Sequence, residues 1–144
     1  WVYIVNELNS SITAYNFNSD NGELHPFQVV STLSESFTSN SRASGIQINA
    51  SGRTLYASNR GEDSIAVFAI NSENGSLRLI QTQPSGGKTP RFFTLSPRQQ
   101  WLLVCNEESD SIRRLKVHPV DGTLVMDETY TDCGSPVCLA FSSN

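Results

Sequence analysis

LYASNRGEDSIAVFAI, residues 55–70, carries the reading of the whole chain. An apolar run ends in Asn59, a polar stretch follows, and Ser64-Ile65 opens a second apolar run. The same order recurs as VYIVNELNSSITAYNF at 2–17 and LLVCNEESDSIRRLKV at 102–117. The Ser-Ile pairs begin at 11, 64 and 111, so they lie 53 and then 47 residues apart. A second landmark keeps step: Asn21-Gly22, Asn74-Gly75 and Asp121-Gly122, with Leu24, Leu77 and Leu124 just beyond. Two landmarks moving together define an internal repeat. A repeat near fifty residues built from short strands is the signature of propeller blades.

Each repeat divides into four short strands, a to d. Strand a is expected at 46–49, 92–96 and 137–142, strand b at 1–5, 54–58 and 101–105. Strand c is expected at 12–17, 65–70 and 112–117, strand d at 27–33, 77–83 and 124–130. Val, Ile, Phe, Tyr and Thr concentrate in these runs, with Gly, Asn, Asp, Ser and Pro between them. The Asn-Gly and Asp-Gly pairs are expected to supply positive φ at the c-to-d reversals. No segment sustains a period of 3.6, so essentially no helix is predicted. The fold class is all-β, a propeller holding about three four-stranded blades. Residues 46–83 and 92–130 form blades, while 1–33 and 137–142 supply strands of incomplete ones. Since closed propellers use roughly four to eight blades, the chain reads as part of a larger ring. Exposed strand edges at 1–5 and 137–142 predict that two copies can associate head to tail.

Composition narrows the function classes. With 144 residues, 38% hydrophobic and 17% charged, the chain can bury a core. A net charge of −4 argues against a nucleic-acid partner. No apolar run reaches the roughly 18 residues of a membrane span, and no leader pattern opens the chain. A cytoplasmic setting is expected. Cys105 reads as a small buried hydrophobe, and Cys133 and Cys138 as unpaired thiols rather than half a metal site. No metal and no cofactor are expected.

ASGRTLYASNRGEDSIAVFAI (50–70) with GGKTPRFFTLSP (86–97) resembles the seven-bladed lactonase family, which includes 6-phosphogluconolactonases and carboxymuconate lactonising enzymes. VYIVNEL (2–8) and GSPVCLAF (134–141) are similar to family segments too, the last near the family's C-terminal end. The resemblance implies the C-terminal part of such a propeller. The Gly-Pro-Arg-His stretch that precedes VYIVNEL in the family is absent, so part of the site is expected outside this chain.

Geometry limits where a site can sit. The b-to-c and d-to-a loops of a propeller open on one face, around the channel mouth. Glu7 and Arg60 lie in b-to-c loops and Arg91 follows a d-to-a loop; the resemblance implies that these three are catalytic. Lys88 is a candidate substrate-binding cation, and Glu107 has no implied role. Asn6, Asn59 and Asn106 are read as structural, closing the turn after strand b. His25 and His118 fall near the opposite face, so serine-histidine chemistry has no support. The resemblance implies hydrolysis of a small anionic sugar-acid lactone, with carboxymuconate cyclisation as the alternative. A non-enzymatic binding platform is the third reading, since fold alone does not fix function.

Overall fold

The runs rich in β-branched and aromatic residues form three antiparallel sheets in the computed structural model, which describes residues 1–142. The first sheet holds β1 (Val2–Asn6), β2 (Ser11–Phe17) and β3 (Leu24–Ser31), in that order. The second holds β4 (Arg42–Ile48), β5 (Thr54–Arg60), β6 (Ser64–Ile70) and β7 (Leu77–Pro84). The third holds β8 (Pro90–Leu95), β9 (Trp101–Asn106), β10 (Ser111–Val117) and β11 (Leu124–Asp132). Each sheet is a meander of neighbouring strands, as a blade requires. The one helical turn among the described residues is the 3₁₀ turn Glu107–Ser109.

Period-two alternation explains how the sheets stack. From the second blade, Leu55, Ala57, Ala66 and Phe68 pack toward Ile12, Tyr3 and Val5 of the first. Their sequence neighbours Tyr56, Ile65 and Val67 pack toward Phe93, Leu102, Val104 and Leu115 of the third. A sheet covered on both faces needs apolar residues at successive positions, and Thr54–Asn59 is buried throughout.

Polar clasps repeat across the two seams. The Tyr3 hydroxyl donates to the Gly75 carbonyl (2.7 Å) and the Tyr56 hydroxyl to the Gly122 carbonyl (2.8 Å). Gln28 binds Leu77 at two points, accepting from its N–H and donating to its carbonyl. Gln81 does the same to Leu124. Register is kept as well: the c–d ladders slip after Ala14 and Val67 and around Arg114, positions equivalent in the repeat.

Three expectations are corrected in detail. The a-strand of the second blade begins at Arg42 rather than Ile46: Arg42 and Ala43 pair with Arg60 and Asn59, and the small residues Ser44 and Gly45 form a bulge in the strand before pairing resumes at Ile46. At the c-to-d reversals only the glycines take positive φ, at 77°, 73° and 75°. Asn21, Asn74 and Asp121 instead accept, through Oδ1, the N–H two residues on. Gly122 is required twice over, since a side chain there would also press on Thr54 and the Tyr56 hydroxyl. Finally, residues 137–142, expected as a strand, carry no strand structure. A lone extended segment without a ladder partner cannot satisfy its backbone in that conformation.

On the third blade, Arg114 Nε donates to Asp127 Oδ1 at 2.7 Å while its guanidinium lies 4.7 Å from the Trp101 ring centroid. The Arg114 hydrogen bond, with help from the Thr129 N–H and hydroxyl, pulls the Asp127 carboxyl down to about 2. A carboxyl depressed in the folded state stabilises above its unfolded value near 4 and loses that contribution as pH falls through about 2. Asp127→Asn is therefore expected to lower Tm at pH 6, by a margin that closes toward pH 2. Melting curves across this range check it; a pH-independent margin would contradict the assignment.

Candidate functional site

The loop after each b-strand is built the same way. Ser10, Asp63 and Asp110 take left-handed backbone, at φ 48°, 54° and 48°. Their carbonyls accept the N–H of Thr32, Ser85 and Cys133, the residues that follow each d-strand. Two of the asparagines reach across the seam to the preceding blade. Asn59 Nδ2 donates to the Thr32 carbonyl (2.8 Å) and Asn106 Nδ2 to the Ser85 carbonyl (3.2 Å). Asn6 binds the hydroxyls of Ser11 and Thr13. All three asparagines are thus structural: Asn6 closes its own turn, while Asn59 and Asn106 join their blade to the one before. Asp63 adds a further tie, its Oδ1 accepting the N–H of Thr89 (2.9 Å) and of Gly61 (3.2 Å).

This framework sets Arg60 at the end of β5. Its Nη2 donates to Glu7 Oε1 at 2.7 Å and also lies 3.4 Å from the Ala43 carbonyl. The arginine side chain is 18% exposed and the glutamate 54%, so the pair joins a mostly buried cation to a wetted carboxylate. Such a half-exposed pair contributes on the order of 0–1 kcal/mol to stability. Arg60 Nε is buried without a protein acceptor. A buried donor left unmatched is a cost that stable folds avoid elsewhere.

Arg60 lines a cleft of about 600 Å³ between the loops of the three blades. Leu8 forms one wall, Asn40, Ser41 and Arg42 another, and Thr89 and Glu108 close it from the third blade. Gly61 takes φ 113° where the Asn40 carbonyl and Ser41 Cα come too close for any side chain. Glu7 does not line this cleft; it lines a neighbouring hollow that shares Leu8, and its carboxylate meets Arg60 at 2.7 Å.

The structure therefore brings Glu7 and Arg60 together. Arg91 sits one blade further round, Nη1 3.6 Å from Glu107 Oε2, and does not line the cleft. Lys88 is exposed on the preceding loop, its N–H held by Ser109 Oγ, and is likewise outside the cleft. His25 and His118 are exposed near the c-to-d turns, beside Glu23 and Asp121 respectively. Cys105 is buried, which pushes its thiol pKa up, and Cys133 and Cys138 are free and exposed. Sequence reasoning missed Arg42, because residues 42–45 read as loop. The signal was the pairing itself: extending strand a backward places Arg42 directly opposite Arg60.

Stacked meanders whose b-to-c and d-to-a loops gather ionic side chains on one face define a β-propeller with a polar, charged mouth. The chain belongs to the seven-bladed β-propeller lactonase family, whose model (Lactonase, 7-bladed beta-propeller) matches residues 1–141. It is 33% identical over 141 residues to a 6-phosphogluconolactonase of Bacillus subtilis, covering 98% of this chain and 40% of that protein. A 6-phosphogluconolactonase of Formosa agariphila is 41% identical over 113 residues, covering 76% of this chain and 31% of that one. Among solved structures, a periplasmic gluconolactonase of Pseudomonas aeruginosa superimposes with a TM-score of 0.89 at 27% identity. That match covers 99% of this chain and 42% of the other. The matches thus span between 31% and 42% of the length of these relatives.

Proposed function

We propose that the protein carrying this chain hydrolyses an anionic sugar-acid lactone such as 6-phosphogluconolactone. The observation that carries the reading is the Arg60–Glu7 pair beside the cleft, in a chain whose relatives are named as lactonases. Lactone opening needs water activated on one side of the carbonyl and positive charge where the oxyanion forms. Glu7 accepts the proton of the attacking water. Arg60 stabilises the oxyanion, and as the ring C–O bond breaks the departing alkoxide takes back the proton that Glu7 removed from the water. Arg91 and Lys88, further round the same face, meet the anionic substrate at its edge. Carboxymuconate cyclisation and the non-enzymatic platform draw no support from the relatives' names.

Arg60→Ala in the full-length protein is expected to lower kcat/KM for 6-phosphogluconolactone tenfold or more, on the order of 1.4 kcal/mol. Unchanged turnover would remove Arg60 from the mechanism. A cytoplasmic setting suits three unpaired cysteines, although the Pseudomonas gluconolactonase is periplasmic; fractionation of the source cells distinguishes the compartments. No helix among the described residues is long and apolar enough to cross a membrane. Association of two copies through strand edges remains a proposal for light scattering at micromolar concentration, where a monomer would exclude it.

A further inference from the structure

Arg42 opens β4 opposite Arg60 in the β4–β5 ladder. Like charges at directly opposed ladder positions destabilise a sheet. Glu7 offsets the charge of Arg60 alone. Arg91 and Arg114 have their own carboxylates, and Arg113 stacks on Tyr130. Arg42 is exposed into the cleft and, among the described residues, has neither an ion pair nor a side-chain hydrogen bond. The Arg42 and Arg60 side chains thus line one cleft, but only Arg60 has a carboxylate set against it, that of Glu7 from the neighbouring hollow, so the Arg42 end is left with a positive charge that a bound anion would complete.

A phosphate monoester carries about −1.5 to −2 charges near pH 7 and three acceptor oxygens, and a guanidinium fork matches such an oxygen pair. The remaining acids in the cleft fix which side takes it. Asp63 has one oxygen committed to two backbone N–H groups, and Glu108 stands on the third-blade side. Both repel a dianion, leaving the Arg42 wall, where Asn40 and Ser41 add polar groups. A volume of about 600 Å³ accommodates a phosphorylated sugar.

We infer that Arg42 is a specificity-determining residue that holds the terminal phosphate of a phosphorylated sugar lactone, while Arg60 and Glu7 serve the ring. This inference rests on the lactonase reading above. The test compares kcat and KM of the full-length protein and its Arg42→Ala and Arg42→Lys variants on 6-phosphogluconolactone and on unphosphorylated gluconolactone. Arg42→Ala is expected to lower the preference for the phosphorylated lactone at least tenfold, chiefly through KM, and Arg42→Lys to restore part of it. Inorganic phosphate should inhibit the parent protein more strongly than Arg42→Ala. An unchanged preference, or a loss equal on both lactones, overturns the role of Arg42 while leaving the lactonase reading intact. A parent protein that opens neither lactone sinks both.

Discussion

Tyr56→Ala is expected to destabilise the protein by about 3–5 kcal/mol, the range for deleting a fully buried aromatic side chain. Tyr56 has no exposed surface and sits where the second blade meets the third, among Phe93, Leu102 and Leu124. Its removal leaves a cavity on that seam and strands the Gly122 carbonyl, which accepts its hydroxyl at 2.8 Å. Tyr56→Phe separates the two effects. It keeps the ring and loses only the clasp, so its cost should fall to about 1–3 kcal/mol. Urea unfolding of the two variants gives both numbers. A Tyr56→Phe cost equal to that of Tyr56→Ala would mean that the ring contributes nothing to the seam. The hydroxyl itself is protected from ionisation, since burial and then Asp121 push its pKa up to about 12.

Asn59→Ala is expected to cost on the order of 2–3 kcal/mol, although it removes only a small polar group. Asn59 is fully buried, accepts the Thr32 hydroxyl at 2.6 Å and donates to the Thr32 carbonyl and to Ser64 Oγ. Alanine would leave the buried Thr32 carbonyl without this donor, across a seam from which water is excluded. Asn106→Ala should cost less. Asn106 makes a single, longer bond of 3.2 Å to the Ser85 carbonyl, and its Oδ1 has no partner. The difference arises because Ser85 turns its hydroxyl to Gly87, whereas Thr32 gives its own to Asn59. Equal costs for the two asparagines, measured by the same unfolding assay, would show that amide clasping is not what holds these residues.

Blade architecture was legible because the repeat supplies its own internal check. Ser11, Ser64 and Ser111 each open a c-strand, and each pairs with the asparagine that ends the preceding b-strand. Strand ends were less legible, as the β4 start shows. Ala43, Ser44 and Gly45 lack the bulk that marks a strand; Ala43 pairs with Asn59, while Ser44 and Gly45 bulge out of register, the Gly45 N–H going to the Ser58 hydroxyl instead of a ladder partner. The segment 137–142 failed for the opposite reason. Val137 and Phe141 carry strand-like character, but a strand is a property of two neighbours and residue preference alone cannot supply the second.

At the mouth, the family resemblance marked Glu7 and Arg60, and the structure places them 2.7 Å apart. Charge and loop position alone could not separate Arg60 from Arg91, because both look like solvated arginines in sequence. What differs is depth: one side chain is 18% exposed and the other 48%, and depth follows from packing between blades. Arg42 escaped notice for a related reason, its partner across the ladder being 18 residues away in sequence.

The clasps also bear on the order in which the molecule assembles. Within a blade, each strand meets the next across a short turn, so a meander closes with little chain entropy to overcome. The seam bonds are of another kind: Gln81 to Leu124 spans 43 residues, Gln28 to Leu77 spans 49, and Tyr3 to Gly75 spans 72. Loop closure of this length is entropically expensive until both ends are already ordered. The glutamine and tyrosine contacts are accordingly expected to form late, as latches between meanders already in place, and they hold each sheet in register against the next.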